Sequence, residues 1–203
     1  MKYILHERNE RNFPIKSEER LSLSIDKGVT LYAEKTTNLD RYKDDVTQYK
    51  LAHPGDLVMN SMNMIVGASG VSDYFGCVSP AYYVFFDEDK EHETTKYMGY
   101  VFQTPRVLSV LRRLGKGIMF IDRGHGRINT CRLKVSRYDL FHLPLPLPPA
   151  SERIEIIAFL QRECNVVDAI ISKKQEQLAT LAAYKKSLIY EYVTGKKEVP
   201  TDE

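Results

Sequence analysis

The sequence predicts an α+β fold: a β-rich globule followed by one long C-terminal helix. Three observations predict it. First, no Gly or Pro occurs from Ser151 to Thr194, and apolar residues recur there at heptad-like spacing. They are Ile157, Leu160, Cys164, Val167, Ile171, Leu178, Leu181, Leu188 and Tyr192, interrupted only by Lys174 and Lys185. A 3-4-3-4 spacing marks a helix with a narrow apolar stripe that a second helix would bury. Second, residues 21–86 consist of short apolar or alternating segments punctuated by Gly, Pro and Asp, the grammar of strands and tight turns. Third, the ladder Leu143-Pro144-Leu145-Pro146-Leu147-Pro148-Pro149 separates the two regions. The expected organisation is a globule over 1–142, a proline-rich connector over 143–150, a helical region over 151–195 and a short tail over 196–203.

In order, Leu21 to Ile25 alternates apolar with polar, the period of a half-buried strand, and Asp26-Lys27-Gly28 turns it back into Val29–Tyr32. Residues 36–45 form a polar loop carrying Arg41, Tyr42 and Lys43. Tyr49–Ala52 suggests a short strand, and His53-Pro54-Gly55-Asp56 is a strong turn signal. Leu57–Met62 follows as a strand, with another beginning at Ile65 and Val66. Cys77–Ser79 and Ala81–Phe86 read as strand on either side of Pro80.

Residues 94–102 and 105–114 read as helices. Pro105 suits a first helical turn, and Gly115 or Gly117 a stop. Strands are expected over 118–121 and 128–135, with a loop between them. The Leu-Pro ladder lacks ladder N–H groups, which makes it an edge strand or a polyproline-like connector. Ser151 is the expected N-cap of the long helix and Gly195 its C′ residue. Fully helical, Ser151–Thr194 would span about 66 Å.

Composition narrows the function. The 203 residues carry a net charge of only +2 and are 43% hydrophobic, an ordinary globular balance. The three cysteines, Cys77, Cys131 and Cys164, are far apart and odd in number, which supports neither a disulfide framework nor a metal site. They are expected to be small apolar fillers in a reducing compartment. The first residues lack an apolar core long enough for a signal peptide, and no apolar run approaches a membrane span, so a cytoplasmic location is expected.

The overall charge conceals an asymmetry. Between Pro105 and Arg137 lie Arg106, Arg112, Arg113, Lys116, Arg123, Arg127, Arg132, Lys134 and Arg137, against the single acid Asp122. Acids gather instead at Asp87, Glu88, Asp89, Glu91 and Glu93. Such a block suits phosphate binding, although a solvated helix face gives the same composition. In Arg123-Gly124-His125-Gly126-Arg127, glycines permit a tight turn and Arg123, His125 and Arg127 become candidates for DNA contact; a plain hairpin is the competing reading. Asn60, Ser61 and Asn63, at a strand end, are candidates too, since Asn pairs bidentately with adenine, but turn residues satisfying their own backbone look the same. Lys43 is a weaker candidate. The pair Tyr82-Tyr83 reads as core. No nucleophile, metal-ligand or phosphate-loop pattern stands out, and the five histidines have no metal-ligand spacing.

One family shares several of these features. The Leu-Pro ladder, Ser151-Glu152-Arg153, the apolar run to Leu160, and Tyr184-Lys185-Lys186-Ser187-Leu188-Ile189 running to Val193-Thr194-Gly195-Lys196 resemble the specificity subunit of type I restriction–modification enzymes. So do Pro54-Gly55-Asp56-Leu57-Val58, Asn60-Ser61-Met62, Gly67–Val71 and Ser79-Pro80-Ala81-Tyr82-Tyr83. The resemblance implies a non-catalytic recognition subunit. Its globule would read half of a split site in double-stranded DNA, and its helix would be a spacer in an antiparallel coiled coil. It also implies methyltransferase subunits using S-adenosylmethionine and a restriction subunit using ATP and Mg2+, with no cofactor on this chain. Family members usually carry two recognition domains and two helical regions; this chain has room for one of each. Its helix is therefore expected to pair with a second copy or with another half of the subunit. Arg153 stands where the family usually has glutamine, a change expected to affect a surface contact. The rival reading is a coiled-coil protein-interaction module that does not bind DNA.

Overall fold

The computed structural model describes residues 1–35, 45–88, 91–120 and 130–199. The chain is α+β, in two compact units, Met1–Ile157 and Ala158–Glu203. The first unit opens with β1 (His6–Glu7), the hairpin β2 (Leu21–Ser24) and β3 (Gly28–Leu31), and the single turn α1 (Tyr32–Lys35). β4 (Lys50–Ala52), β5 (Leu57–Asn60), β6 (Ser69–Val71), β7 (Gly76–Val78) and β8 (Tyr82–Phe86) follow. Then come α2 (Glu93–Val101), α3 (Pro105–Leu114), the hairpin β9 (Lys116–Phe120) and β10 (Thr130–Lys134), and the short α4 (Arg137–Phe141). The helix α5 (Ala150–Val193) completes the order.

A four-stranded antiparallel sheet in the order β1-β8-β5-β6 forms the centre of the first unit, with β2-β3, β4-β7 and β9-β10 as separate two-stranded ribbons. All four residues of β5 are buried, so this strand is covered on both faces. That explains why Leu57, Val58 and Met59 are consecutive apolar residues rather than an alternation. Leu57 and Met59 face the larger core with Phe85, Met98, Phe102 and Leu111. Val58 faces the smaller one with Leu21, Val29, Val78 and Val84. Where the β2-β3 ribbon meets β6, a Cβ on Gly70 would stand 3.0 Å from the Gly28 Cα, a tight contact that glycine relieves.

Several elements differ from the sequence reading. Met64–Val66 is a 3-10 turn, not the start of a strand, and Gly67 closes it in the left-handed region with φ of 93°. Three apolar residues are too few to display a period. β1 and α4 arise in polar segments that carry no strand or helix pattern. The Leu-Pro ladder forms no strand. It is anchored at its start, where the Met1 amino group donates to the Leu143 carbonyl at 3.2 Å. α5 begins at Ala150, one residue before the expected cap, and the Arg153 N–H donates to the Pro149 carbonyl at 3.0 Å. Ser151 thus lies inside the first turn.

The C-terminal end of α5 follows expectation. Gly195 has φ of 71°, Lys196 N donates to the Glu191 carbonyl at 2.8 Å, and Gly195 N to the Tyr192 carbonyl at 3.4 Å. This is a Schellman closure. Of the cysteines, Cys77 is buried as a filler, whereas Cys164 is exposed and fills no core.

The N-terminal segment is held by a buried ion pair. Asp56 is fully buried and receives Arg8 Nε at 2.6 Å, Arg8 Nη2 at 3.1 Å and the His53 N–H at 2.8 Å. The Arg8 guanidinium also lies over the Phe86 ring, 4.5 Å from its centroid. Removing one partner of such a pair strands the other. Asp56→Ala is therefore expected to destabilise the protein by about 3 kcal/mol, measured by urea unfolding. A loss under 1 kcal/mol would show the pair to be incidental.

Candidate nucleic-acid interface

The basic segment is fastened to one turn. Asn60 ends β5, and its side-chain oxygen accepts from the Met62 N–H at 3.0 Å and, more weakly, from the Asn63 N–H at 3.4 Å. This pins the turn from Asn60 to Gly67. Two of the turn's carbonyls then receive the basic elements. The Ser61 carbonyl accepts from the Val135 N–H at 3.0 Å, just beyond β10. The Ile65 carbonyl accepts from Arg112 Nε at 3.1 Å, near the C-terminal end of α3. Gln103 closes the far side, with its Nε2 donating to the Gly67 carbonyl at 2.9 Å and the Ser69 carbonyl at 3.0 Å. A Cβ on Gly67 would meet the Gln103 Oε1 at 2.9 Å. Beneath these bonds Leu111, Leu133 and Val135 are buried with Met64 and Ile65.

Five basic residues of these elements, Arg106, Arg112, Arg113, Lys116 and Lys134, are exposed. Asn63 is exposed on the turn, as are Met62 and Val66. Lys116 Nζ is 3.5 Å from Asp139 Oδ2. The Ser136 hydroxyl donates to that same oxygen at 2.6 Å. The Ser136 hydrogen bond first, and Lys116 after it, holds the Asp139 carboxyl below its usual range. Tyr83, whose hydroxyl donates to the Val135 carbonyl at 3.1 Å, has its pKa raised by burial. Its place in the core agrees with the sequence reading.

The candidate residues separate into groups. Arg112, Arg113, Lys116 and Asn63 are exposed, and the contact of Arg112 with Ile65 brings α3 to the turn that carries Asn63. Ser61 is fully buried and Asn60 is 7% exposed. The Asn60 side chain and the Ser61 carbonyl are engaged in the turn, and neither side chain is presented at the surface as Asn63 is. Lys43, Arg123, His125 and Arg127 lie outside the described residues. Sequence reasoning passed over Lys134 and Arg137 as individual sites, although both stand in the basic block.

No family model matches the chain, and no curated protein does. The resemblance to specificity subunits therefore rests on the motifs themselves. Among the described residues no three His, Cys, Asp or Glu side chains are grouped to hold a metal ion. The pocket of about 780 Å³ bounded by Lys2, His6, Glu7, Arg137 and His142 contains no nucleophile–base pair. No helix is long and apolar enough to cross a membrane among the described residues.

The seam candidates also divide. Ile157 is 6% exposed and belongs to the core of the first unit, so it is not available to a partner helix. Leu160 and Leu188 are partly exposed. Val167, Ile171, Leu178 and Leu181 are 48–66% exposed, and Cys164 is exposed. Arg153, expected at a surface contact, instead braces the start of α5: its Nη1 donates to the Pro148 carbonyl at 2.8 Å.

The Asn60 carboxamide is expected to control the register of the turn. Asn60→Ala should cost about 1 kcal/mol, while Asn60→Asp, which keeps the accepting oxygen, should lose less. Denaturant titration of both variants checks this, and equal losses would show that the oxygen is not what matters.

Proposed function

We propose that this chain is a DNA-recognition subunit of a type I restriction–modification complex, reading one half of a bipartite site and carrying no catalytic group of its own. One observation carries the reading. α3 and the base of the β9-β10 hairpin are fixed to the Asn60–Gly67 turn, with Arg106, Arg112, Arg113, Lys116 and Lys134 on the outside. Exposed arginines and lysines supply the phosphate contacts that position a reader on duplex DNA. Asn63 and Arg113 are side chains of the types that read adenine and guanine edges. In this reading, methyltransferase subunits bring S-adenosylmethionine, and a restriction subunit brings ATP and Mg2+.

In the same proposal α5 is the spacer, paired in an antiparallel coiled coil with a second copy or with another half-subunit. Two features favour it. Val167, Ile171, Leu178 and Leu181 form an apolar stripe, broken at Lys174, that is exposed in the single chain. The charge is also graded along the helix. Glu152, Glu155, Glu163 and Asp168 outnumber Arg153 and Arg162 in its first half; Lys173, Lys174, Lys185 and Lys186 outnumber Glu176 and Glu191 in its second. Antiparallel pairing sets unlike halves side by side, whereas parallel pairing sets like against like.

The chain loaded with a methyltransferase subunit is expected to bind duplex DNA with steep salt dependence and to enrich one bipartite site from mixed sequence. Arg113→Ala should weaken binding by about 1–3 kcal/mol if it reads a base. Binding without any site preference would sink the recognition reading. The exposed stripe also suits a protein-interaction module, and an absence of DNA binding at low salt would favour that second reading.

The helix is tested separately. Ile171 and Leu178 are 48% and 66% exposed, so Asp at both leaves the globule's folding intact. Sedimentation of Ile171→Asp/Leu178→Asp should show a monomer where the unmodified chain is a dimer. A variant that remains dimeric would place the contact elsewhere.

A further inference from the structure

The base of the β9-β10 hairpin holds an arrangement that sheet pairing alone disfavours. Lys116 and Lys134 are direct cross-strand partners. Like charges placed opposite one another destabilise an antiparallel pair. Asp139 compensates one of them, at 3.5 Å from Lys116, and Lys134 has no ion pair among the described residues. Arg137 adds a third cation three residues beyond Lys134. Its Nε lies 2.5 Å from Glu7 Oε2, and the Glu7 carboxylate also faces Lys50 Nζ at 3.7 Å.

These cations share one open pocket of about 450 Å³, bounded by Tyr83, Lys116, Lys134, Ser136 and Arg137. In the two ion pairs beside it the cation is the more exposed partner. The Glu7 and Asp139 side chains are 5% and 17% exposed, while those of Arg137 and Lys116 are 57% and 78% exposed. Neither carboxylate lines the pocket, so its charged lining is cationic. The Tyr83 hydroxyl is already committed to the Val135 carbonyl, so what the pocket offers an entering group is ammonium and guanidinium N–H. An anion rich in acceptor oxygens satisfies that lining and relieves the repulsion between the two lysines.

We propose that this pocket seats a backbone phosphate of duplex DNA, held by Lys116 and Lys134 with the Arg137 guanidinium alongside. The proposal rests on the DNA-recognition reading above and deepens it by separating a sequence-independent anchor from base reading. Asp139 restrains the seat, because it competes with the phosphate for Lys116.

The test uses the full chain loaded with a methyltransferase subunit, and fluorescent duplexes of preferred and unrelated sequence, titrated with salt. Lys134→Gln and Lys116→Gln should each weaken binding several-fold on every sequence and make the salt slope shallower by about 0.9. The ratio between preferred and unrelated sequence should stay constant. Asp139→Asn, which frees Lys116 while keeping a partner for Ser136, should tighten binding on every sequence. Melting temperatures no lower than that of the unmodified chain confirm that the lysine variants fold. If the unmodified chain binds DNA and the lysine variants keep its affinity and slope, the phosphate seat is overturned and the recognition reading stands. A changed sequence ratio would overturn the anchor role in favour of base reading. If no duplex binds the unmodified chain, both fall. Protection of the unmodified chain against heating by inorganic phosphate, lost in Lys134→Gln, would then identify a free phosphate as the ligand instead.

Discussion

The turn from Asn60 to Gly67 is the constraint on which the basic face depends. Its Ser61 and Ile65 carbonyls take up the segment after β10 and the end of α3, and the Asn60 side chain fixes where those carbonyls point. A single hydrogen bond of this kind contributes only about 1 kcal/mol net. Full burial of a Leu or Val side chain contributes about 1.5–3 kcal/mol, and Leu111, Leu133 and Val135 are all buried under the turn. Burial therefore holds the elements together, and the hydrogen bonds set their register. The division explains why a buried Asn sits at the end of a strand that is otherwise apolar.

Much of this fold was legible in the sequence, and the exceptions have physical reasons. The β2-β3 hairpin, α3 and α5 announce themselves through alternation, a proline at the first turn and a sustained heptad spacing. β1 is two residues long and α4 five, too short for either period to develop. Their positions are decided by long-range bonds, such as Arg8 N to the Val84 carbonyl and the Lys2 N–H to the Phe141 carbonyl, which no local pattern encodes. The basic block was legible as composition. Which of its members share a pocket was not, because that depends on the pairing of Lys116 with Lys134 across residues that sequence spacing leaves unmatched. Asn60 and Ser61 show the opposite ambiguity: residue types suited to reading bases are equally suited to building turns, and burial is not written in either residue type.

The start of α5 shows a periodic stripe serving two purposes. Ile157 fits the heptad that continues through Leu178 and Leu188, yet it is buried in the globule's core. Arg153, one turn earlier, ties the helix start to the Pro148 carbonyl and approaches the Thr94 hydroxyl at 3.5 Å. The helix is therefore continuous while its apolar face changes role, from core packing at Ile157 to exposure at Val167 and beyond. Heptad spacing records that a face is apolar; it does not record which surface covers each turn.

Although the chain's net charge is only +2, three of its carboxylates are paired with more exposed cations. Asp56 is fully buried against Arg8, Glu7 pairs with Arg137 and Lys50, and Asp139 with Lys116. Each carboxylate is less exposed than the cation it orients, Asp56 than Arg8, Glu7 than Arg137 and Asp139 than Lys116. Buried carboxylates are costly to desolvate unless paired, and the pairing here leaves Lys116 and Arg137 outward with their positions fixed. The count of charges in the sequence is nearly neutral, but screening by water makes the field a ligand meets a local one, set by the exposed groups nearest to it. A near-neutral composition is therefore compatible with a local cluster of cations at the base of the β9-β10 hairpin.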